Sequence, residues 1–391
     1  MPTLVAIFAL VCSFSPPAEQ IVRISVFSLF KTRIIEARIP RGESAHIEWD
    51  NISDSIPSGD VVRMRNSDGN LNIVLIDSFG RVVRSFVSRE VRITSQSPIE
   101  LTIPGKISRE FRGQVSISAE QGKPLRIVVA TDRESAVASV VAAEMKSRER
   151  EALKAMAVMA RTYMLSHASR HLDEGFDFCD TTHCQLYRGE TDLANEINRR
   201  EVTTAVTATE GERLSFNNSV VEVYFTAVCG GLSATPSLVW GGEAGSYRYA
   251  RVACPWCRAS PYMKWERTAS VAAVTGALSS FLRANISQDA EIAVERSGND
   301  PVRSVIVRNR GQQIILSADE FRRALGLNMG WNRVLSPTFE IERRGQRFIF
   351  RGRGFGSQVG LCIEGAVRQA AAGRSYRDIL FFYFPQTEIK K

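Results

Sequence analysis

Lysine is scarce in this chain: only eight of its 50 cationic residues are lysines, the other 42 being arginines, and 42 acidic residues leave a net charge of +8. The charge is spread without a polybasic run, which argues against a dedicated nucleic-acid partner. No run of about 18 apolar residues exists, so no segment has the pattern of a membrane-spanning helix. Internal repeats and low-complexity tracts are absent too. With 44% hydrophobic and 24% charged residues, the balance is globular and excludes disorder, collagen and coiled coil. Histidine is the rarest informative residue, with four in 391 positions. That length accommodates two or three domains of about 100–200 residues.

What is present divides along the chain. Residues 1–18 carry an apolar stretch, Leu4 to Cys12, followed by small residues and prolines, the pattern of a signal peptide; a buried first strand is the competing assignment. Residues 19–105 read as a β-rich accessory domain, with alternating runs such as Asn72–Ile76 bounded by turn signals such as Asp68-Gly69. Residues 106–391 read as a second, α+β domain, with an inserted subdomain at about 268–350. Its strongest element is a helix from about Arg148 to His171, with Ala152, Met156, Met159 and Tyr163 lining one face. Ser317 with Glu320 three residues on predicts a capping box.

Three of the four histidines fall between positions 167 and 183, beside the sequence Cys179-x-x-x-His183-Cys184. Thiolate and imidazole are zinc ligands, and His171, Cys179, His183 and Cys184 supply the four that a structural site needs. A Cys179–Cys184 disulfide is the alternative, favoured by export. Cys254 and Cys257 form a C-x-x-C without the βαβ context of a redox enzyme. A structural disulfide from Cys229 to one of that pair is the expected arrangement.

The stretches Val141-Ala142-Ala143-Glu144-Met145 and Glu151 to Tyr163 resemble the hallmark of the stage II sporulation protein D (SpoIID) and LytB amidase-enhancer family. Phe178 to Gly189, Phe225 to Gly231, Val239 to Gly242 and Ser260 to Glu266 continue the match in order. The resemblance covers about residues 111–387. It implies a SpoIID-like domain with a long helix against mixed β structure, exported to the cell envelope. The implied activity is lytic transglycosylase cleavage of MurNAc–GlcNAc strands of peptidoglycan, on peptide-stripped glycan. The alternative is a non-catalytic wall-binding protein that stimulates an N-acetylmuramoyl-L-alanine amidase.

The family's catalytic acid maps onto Glu144. One carboxyl group suffices: it protonates the glycosidic oxygen, then acts as base on the sugar's own 6-hydroxyl, giving a 1,6-anhydro end without any cofactor. Arg161, Gln185, Tyr187, Thr226, Tyr262 and Lys264 are the implied glycan contacts. The C-terminal glycine-rich signature departs from the family. Ser357 stands where His is expected, Gln358 where Gly is, and Ile363 where Gln is. The loss of an imidazole and an amide favours the non-catalytic reading, and Gln358 takes a position that calls for positive φ.

Overall fold

The computed structural model describes residues 20–168, 170–242, 247, 249–298 and 300–391; the signal-peptide segment 1–18 lies outside them. Two compact units emerge, Met1–Val140 with Ser169–Asp192, and Val141–Ala168 with Leu193–Lys391.

Short alternating runs build the first unit. Its strands are β1 (Ile21–Ser25), β2 (Ile34–Arg38), β3 (Ala45–Trp49), β4 (Ile52–Ile56), β5 (Val61–Ser67), β6 (Asn70–Ile76), β7 (Val82–Ser88), β8 (Glu90–Ile103), β9 (Ile107–Ser118), β10 (Arg126–Asp132) and β11 (Phe178–Cys179). They join in the order β11-β1-β10-β9-β8-β2-β5-β6-β7, with β3 and β4 added beside β8. The β5–β6 hairpin turns at Asp68-Gly69, both at positive φ, as a two-residue loop of this composition requires. Strand β8 serves two neighbours: Arg92–Thr94 pairs with β3, and Glu100–Thr102 with β2. A register irregularity against β9 between Ser95 and Ile99 separates the halves and lets the strand bend. The boundary expected between 105 and 106 falls in the β8–β9 turn, and the same sheet continues to Asp132.

A helix unforeseen in the sequence, α1 (Arg133–Glu144), follows β10. In the second unit α2 (Arg150–Ser166) is buried along most of its circumference, as a helix apolar on nearly all sides must be. The predicted stripe Ala152, Met156, Met159 and Tyr163 is wholly buried. Helices α3 (Glu196–Ala208), α7 (Ile363–Ala371) and α8 (Tyr376–Tyr383) pack on it. The short α4 (Pro236–Trp240) starts from a Thr235 cap. Residues 265–352 assemble their own core around Phe321, Phe339, Phe348 and Phe350, covered by α5 (Val271–Leu282) and α6 (Ala318–Met329). Both halves of the predicted capping box at Ser317 and Glu320 are formed. Among the described residues no helix is long and apolar enough to cross a membrane.

Candidate functional site

Glu144 is the last residue of α1 rather than part of the start of the next helix. A helix C-terminus presents carbonyls and disfavours a negative charge nearby. Val140, Val141, Ala142, Ala143 and Met145 around it are buried, while Glu144 keeps part of its surface exposed. Lys146 donates from Nζ to the Ala142 carbonyl at 2.7 Å, closing one of the carbonyls that the helix end leaves open.

The proposed glycan contacts separate into two kinds. Tyr262 and Lys264 lie on a segment pinned to the glycine-rich loop. Gly354 N–H donates to the Tyr262 carbonyl at 2.8 Å, Trp265 Nε1 donates to the Gly354 carbonyl at 2.9 Å, and the Tyr262 and Phe355 rings meet at 4.9 Å. Lys264 is exposed and borders a cavity of 630 Å³ that Arg296, Glu340, Arg351 and Arg353 also line; Glu144 is not among its lining residues.

The other residues are turned inward. Arg161 is 1% exposed and donates from Nη1 to the Glu212 carbonyl at 2.8 Å. It therefore sits on neither a solvated helix face nor an open groove. Thr226 is buried, donating to the Phe355 carbonyl at 2.9 Å and accepting from Gln358 N–H at 3.0 Å. In the first unit Tyr187 is buried with its ring 6.0 Å from that of Phe111, and burial raises its phenol pKa. Gln185 is 4% exposed and its Nε2 has no hydrogen-bond partner among the described residues, so its amide retains a donor to offer. Arg161, Tyr187 and Thr226 are therefore interior residues.

The glycine-rich departure has a structural answer. Gln358 adopts φ 67° and is 1% exposed. Its Nε2 donates to the carbonyls of Cys229 at 2.9 Å and Arg353 at 3.0 Å, and its Oε1 accepts from Thr338 Oγ1 at 2.7 Å. Three side-chain hydrogen bonds offset the strain of a non-glycine residue in the left-handed region. Ser357 donates no longer-range contact of that kind; its Oγ accepts from Val359 N–H at 3.3 Å.

A further group surrounds His167, at the end of α2. Its ring stacks on Tyr163 at 4.1 Å and approaches Tyr224 edge-on at 5.3 Å; Trp240, 45% exposed, meets Tyr224 at 4.8 Å. Glu222 accepts from the Tyr224 hydroxyl and lies 3.3 Å from His167 Nε2. Flat faces beside a carboxylate are sugar-binding chemistry; the sequence offers Tyr163 and Trp240 as such faces, but nothing in it joins them to His167, Tyr224 and Glu222.

The histidines and cysteines of the first unit converge as the sequence spacing suggests. Strand β11 pairs in parallel with β1, and buried Asp180 fixes the loop after it by accepting from Phe27 N–H at 2.8 Å and from Arg109 at 3.1 Å. Burial raises the Asp180 pKa despite these partners. The ligand atoms of His171, Cys179, His183 and Cys184 lie within 4.8 Å of one another. Cys184 Sγ is 3.3 Å from His171 Nε2, while His171 Nδ1 meets Glu174 Oε1 at 2.5 Å. A carboxylate on the far nitrogen is the usual orienting partner of a metal-binding imidazole. His183 turns Nδ1 towards both sulfurs, at 3.8 and 3.7 Å. Hydrogen bonding with Cys184, then with His183 and Thr181, pulls the Cys179 thiol down to about 3, and Cys184 is pushed up in return. The pair thus holds one readily ionised sulfur. Cys179 and Cys184 are unbridged.

Cys229, Cys254 and Cys257 also remain free thiols rather than forming the expected bridge. Cys229 and Cys257 Sγ stand 3.6 Å apart, against about 2.05 Å for a disulfide. The fourth thiol in their neighbourhood, Cys362, had no place in the expected pairing.

The family described as Stage II sporulation protein matches residues 121–216, which include Glu144 and the Cys179–Cys184 loop. Stage II sporulation protein D of Bacillus subtilis (strain 168) is 30% identical over 278 residues, covering 66% of this chain and 74% of that protein. The protein of the same name from Bacillus amyloliquefaciens is 28% identical over the same length. The amidase enhancer of Bacillus subtilis (strain 168) is 24% identical over 283 residues, 61% of this chain and 38% of that protein.

Proposed function

The chain belongs to the stage II sporulation protein D family, and from that membership we propose that it is an exported cell-envelope enzyme, a lytic transglycosylase that cuts MurNAc–GlcNAc strands of peptidoglycan with Glu144 as acid and then base. The observation that carries this reading is the position of Glu144, partly exposed at the carbonyl end of α1 with buried Val140 to Ala143 behind it. A single carboxyl serves both halves of the reaction, as acid and then as base. The proton goes to the glycosidic oxygen as the C1–O bond breaks. The resulting carboxylate removes the proton of the sugar's 6-hydroxyl, whose oxygen closes on C1. The carboxyl is regenerated and no water is consumed. Lys264 and Tyr262 supply a donor and a flat face for the glycan.

His171, Cys179, His183 and Cys184 fit a zinc ion, and we assign them that role. Two sulfurs and two nitrogens complete a closed tetrahedral set, which suits structure rather than chemistry. The ion would supply a cross-link between the residue-171 turn and the loop after β11, and catalysis at Glu144 needs nothing from it.

A second reading has its own observation. Ser357 and Ile363 stand where the family carries an imidazole and an amide, and one relative bears the name amidase enhancer. On that reading the protein binds sacculi and stimulates an N-acetylmuramoyl-L-alanine amidase without cutting glycan. Incubation with peptide-free glycan strands, followed by mass spectrometry for anhydro-muramic ends, separates the two. The wild type is expected to yield such ends, and Glu144→Gln to reduce their rate by about 100-fold or more. Full activity in Glu144→Gln rejects the catalytic assignment. Sacculus binding by the wild type without anhydro ends selects the enhancer.

A further inference from the structure

Three segments far apart in the chain bring four cysteines to one point in the second unit. Cys229 follows the short strand Phe225–Thr226, Cys254 and Cys257 flank the single helical turn Pro255–Cys257, and Cys362 is the N-cap of α7. All four are fully buried, and their sulfurs lie within 4.8 Å of one another. We propose that Cys229, Cys254, Cys257 and Cys362 form a second metal site, a tetrathiolate that holds one zinc ion. It is separate from the Cys/His group and independent of the catalytic reading.

The spacing suits one ion. Tetrahedral ligands at a Zn–S distance of about 2.3 Å place the sulfurs about 3.8 Å apart, and Cys229 and Cys257 are 3.6 Å apart. A cubic iron–sulfur cluster needs its cysteine sulfurs spread around a much larger body. Ordinary apolar packing of four thiols would not direct all four sulfurs inward to a common centre.

The surroundings suit anionic sulfur. Cys362 Sγ accepts from the N–H groups of Cys229 at 3.3 Å and Gly365 at 3.4 Å, and Tyr383 Oη is 3.2 Å from Cys254 Sγ. Cys362 also lies at the positive end of α7. Gly365 permits this approach: a Cβ there would stand 2.1 Å from Tyr383 Oη and 2.9 Å from Cys254 Sγ. Four thiolates without a cation would be an untenable buried charge, and a divalent ion removes most of it.

The consequence is mechanical. Cys362 ends the glycine-rich loop, and Cys229 is held to the same loop through the Gln358 amide. One ion would tie that loop to the segment after Thr226 and to the turn that leads into Tyr262 and Lys264.

The test uses the full chain purified under reducing conditions. Elemental analysis is expected to find about two zinc ions per chain. The double variant His171→Ala/Cys184→Ser should retain one of them, with an all-sulfur first shell by X-ray absorption. Cys257→Ser should lose one equivalent and leave the mixed nitrogen–sulfur shell. If either variant fails to fold, the wild type alone decides, since two such sites average about three sulfurs per zinc. An all-sulfur zinc shell supports the proposal. Alkylation and peptide mapping that find disulfides among these four cysteines overturn it, as do four free thiols with no sulfur-only metal site. Loss of the Cys/His ion alone leaves the proposal standing and removes only the assignment made for His171 and its neighbours.

Discussion

Gln358 shows how a single residue can carry a substitution that its backbone resists. Its φ of 67° is a position for glycine, and a non-glycine residue there costs about 1 kcal/mol or more. The side-chain amide offsets that cost by serving the Cys229 and Arg353 carbonyls and the Thr338 hydroxyl. Two substitutions separate the contributions. Gln358→Ala keeps the strain and removes hydrogen bonds to the Cys229 and Arg353 carbonyls and the Thr338 hydroxyl, and should lower stability by about 2–3 kcal/mol. Gln358→Gly loses the same bonds but relieves the backbone, so it should be the milder change by about 1 kcal/mol. Urea unfolding of both variants checks this: Ala at or above Gly in stability would show that the backbone at 358 carries no such strain, and a wild-type-like Gln358→Ala would show that the amide carries no such role. The residues read from sequence as glycan contacts illustrate the converse. Arg161, Tyr187 and Thr226 have sugar-binding chemistry, but polar type alone does not say whether a donor faces solvent or an internal carbonyl. Tyr262 and Lys264 were singled out by their segment's resemblance to the family, and Lys264 is exposed while Trp265 anchors that segment.

At the scale of elements, legibility followed periodicity. Helix α2 was readable because Ala152, Met156, Met159 and Tyr163 recur at helical spacing, although its ends came out at Arg150 and Ser166 rather than 148 and 171. Helix α1 was not, because Ala136 to Ala143 is apolar at nearly every position and a continuous run has no period. That omission mattered, since Glu144 is the last residue of this helix. Helix α6 was marked by its cap. The Ser317 hydroxyl accepts from Glu320 N–H at 3.1 Å, and Glu320 Oε2 accepts from Ser317 N–H at 2.8 Å. That backbone donor, followed by the Ser317 hydroxyl, holds the Glu320 carboxyl below its ordinary pKa. A pKa lowered by folding means that the unfolded chain binds more protons over this range. The stabilisation is therefore complete above about pH 4.5 and fades as the pH falls through the lowered value. Ser317→Ala should cost about 1 kcal/mol at neutral pH and less in acid. Thermal melts at pH 7 and pH 3 measure this, and an equal loss at both would remove Glu320 from the cap.

Over the whole molecule, the cysteines were the least legible feature. Cys179 and Cys184 are near neighbours in sequence and announce themselves, whereas Cys362 lies 105 positions beyond Cys257, and only tertiary structure makes them partners. The two units should respond separately to loss of the second cluster. Hydrogen bonds from β5 to β10 belong to a sheet of the first unit, while Cys229, Cys254, Cys257 and Cys362 all belong to the second. Opening free energies differ between cooperative regions of one chain, so a local lesion need not reach a distant sheet. Hydrogen-exchange mass spectrometry of Cys257→Ser should therefore show faster exchange at 225–231, 254–262 and 354–371, with β5 to β10 unchanged. Zinc chelation of the wild type should reproduce that pattern and add the loop 171–184. Unchanged exchange at 354–371 after complete removal of zinc would mean that the glycine-rich loop is held by its own packing, with Gln358 and Cys362 needing no ion between them.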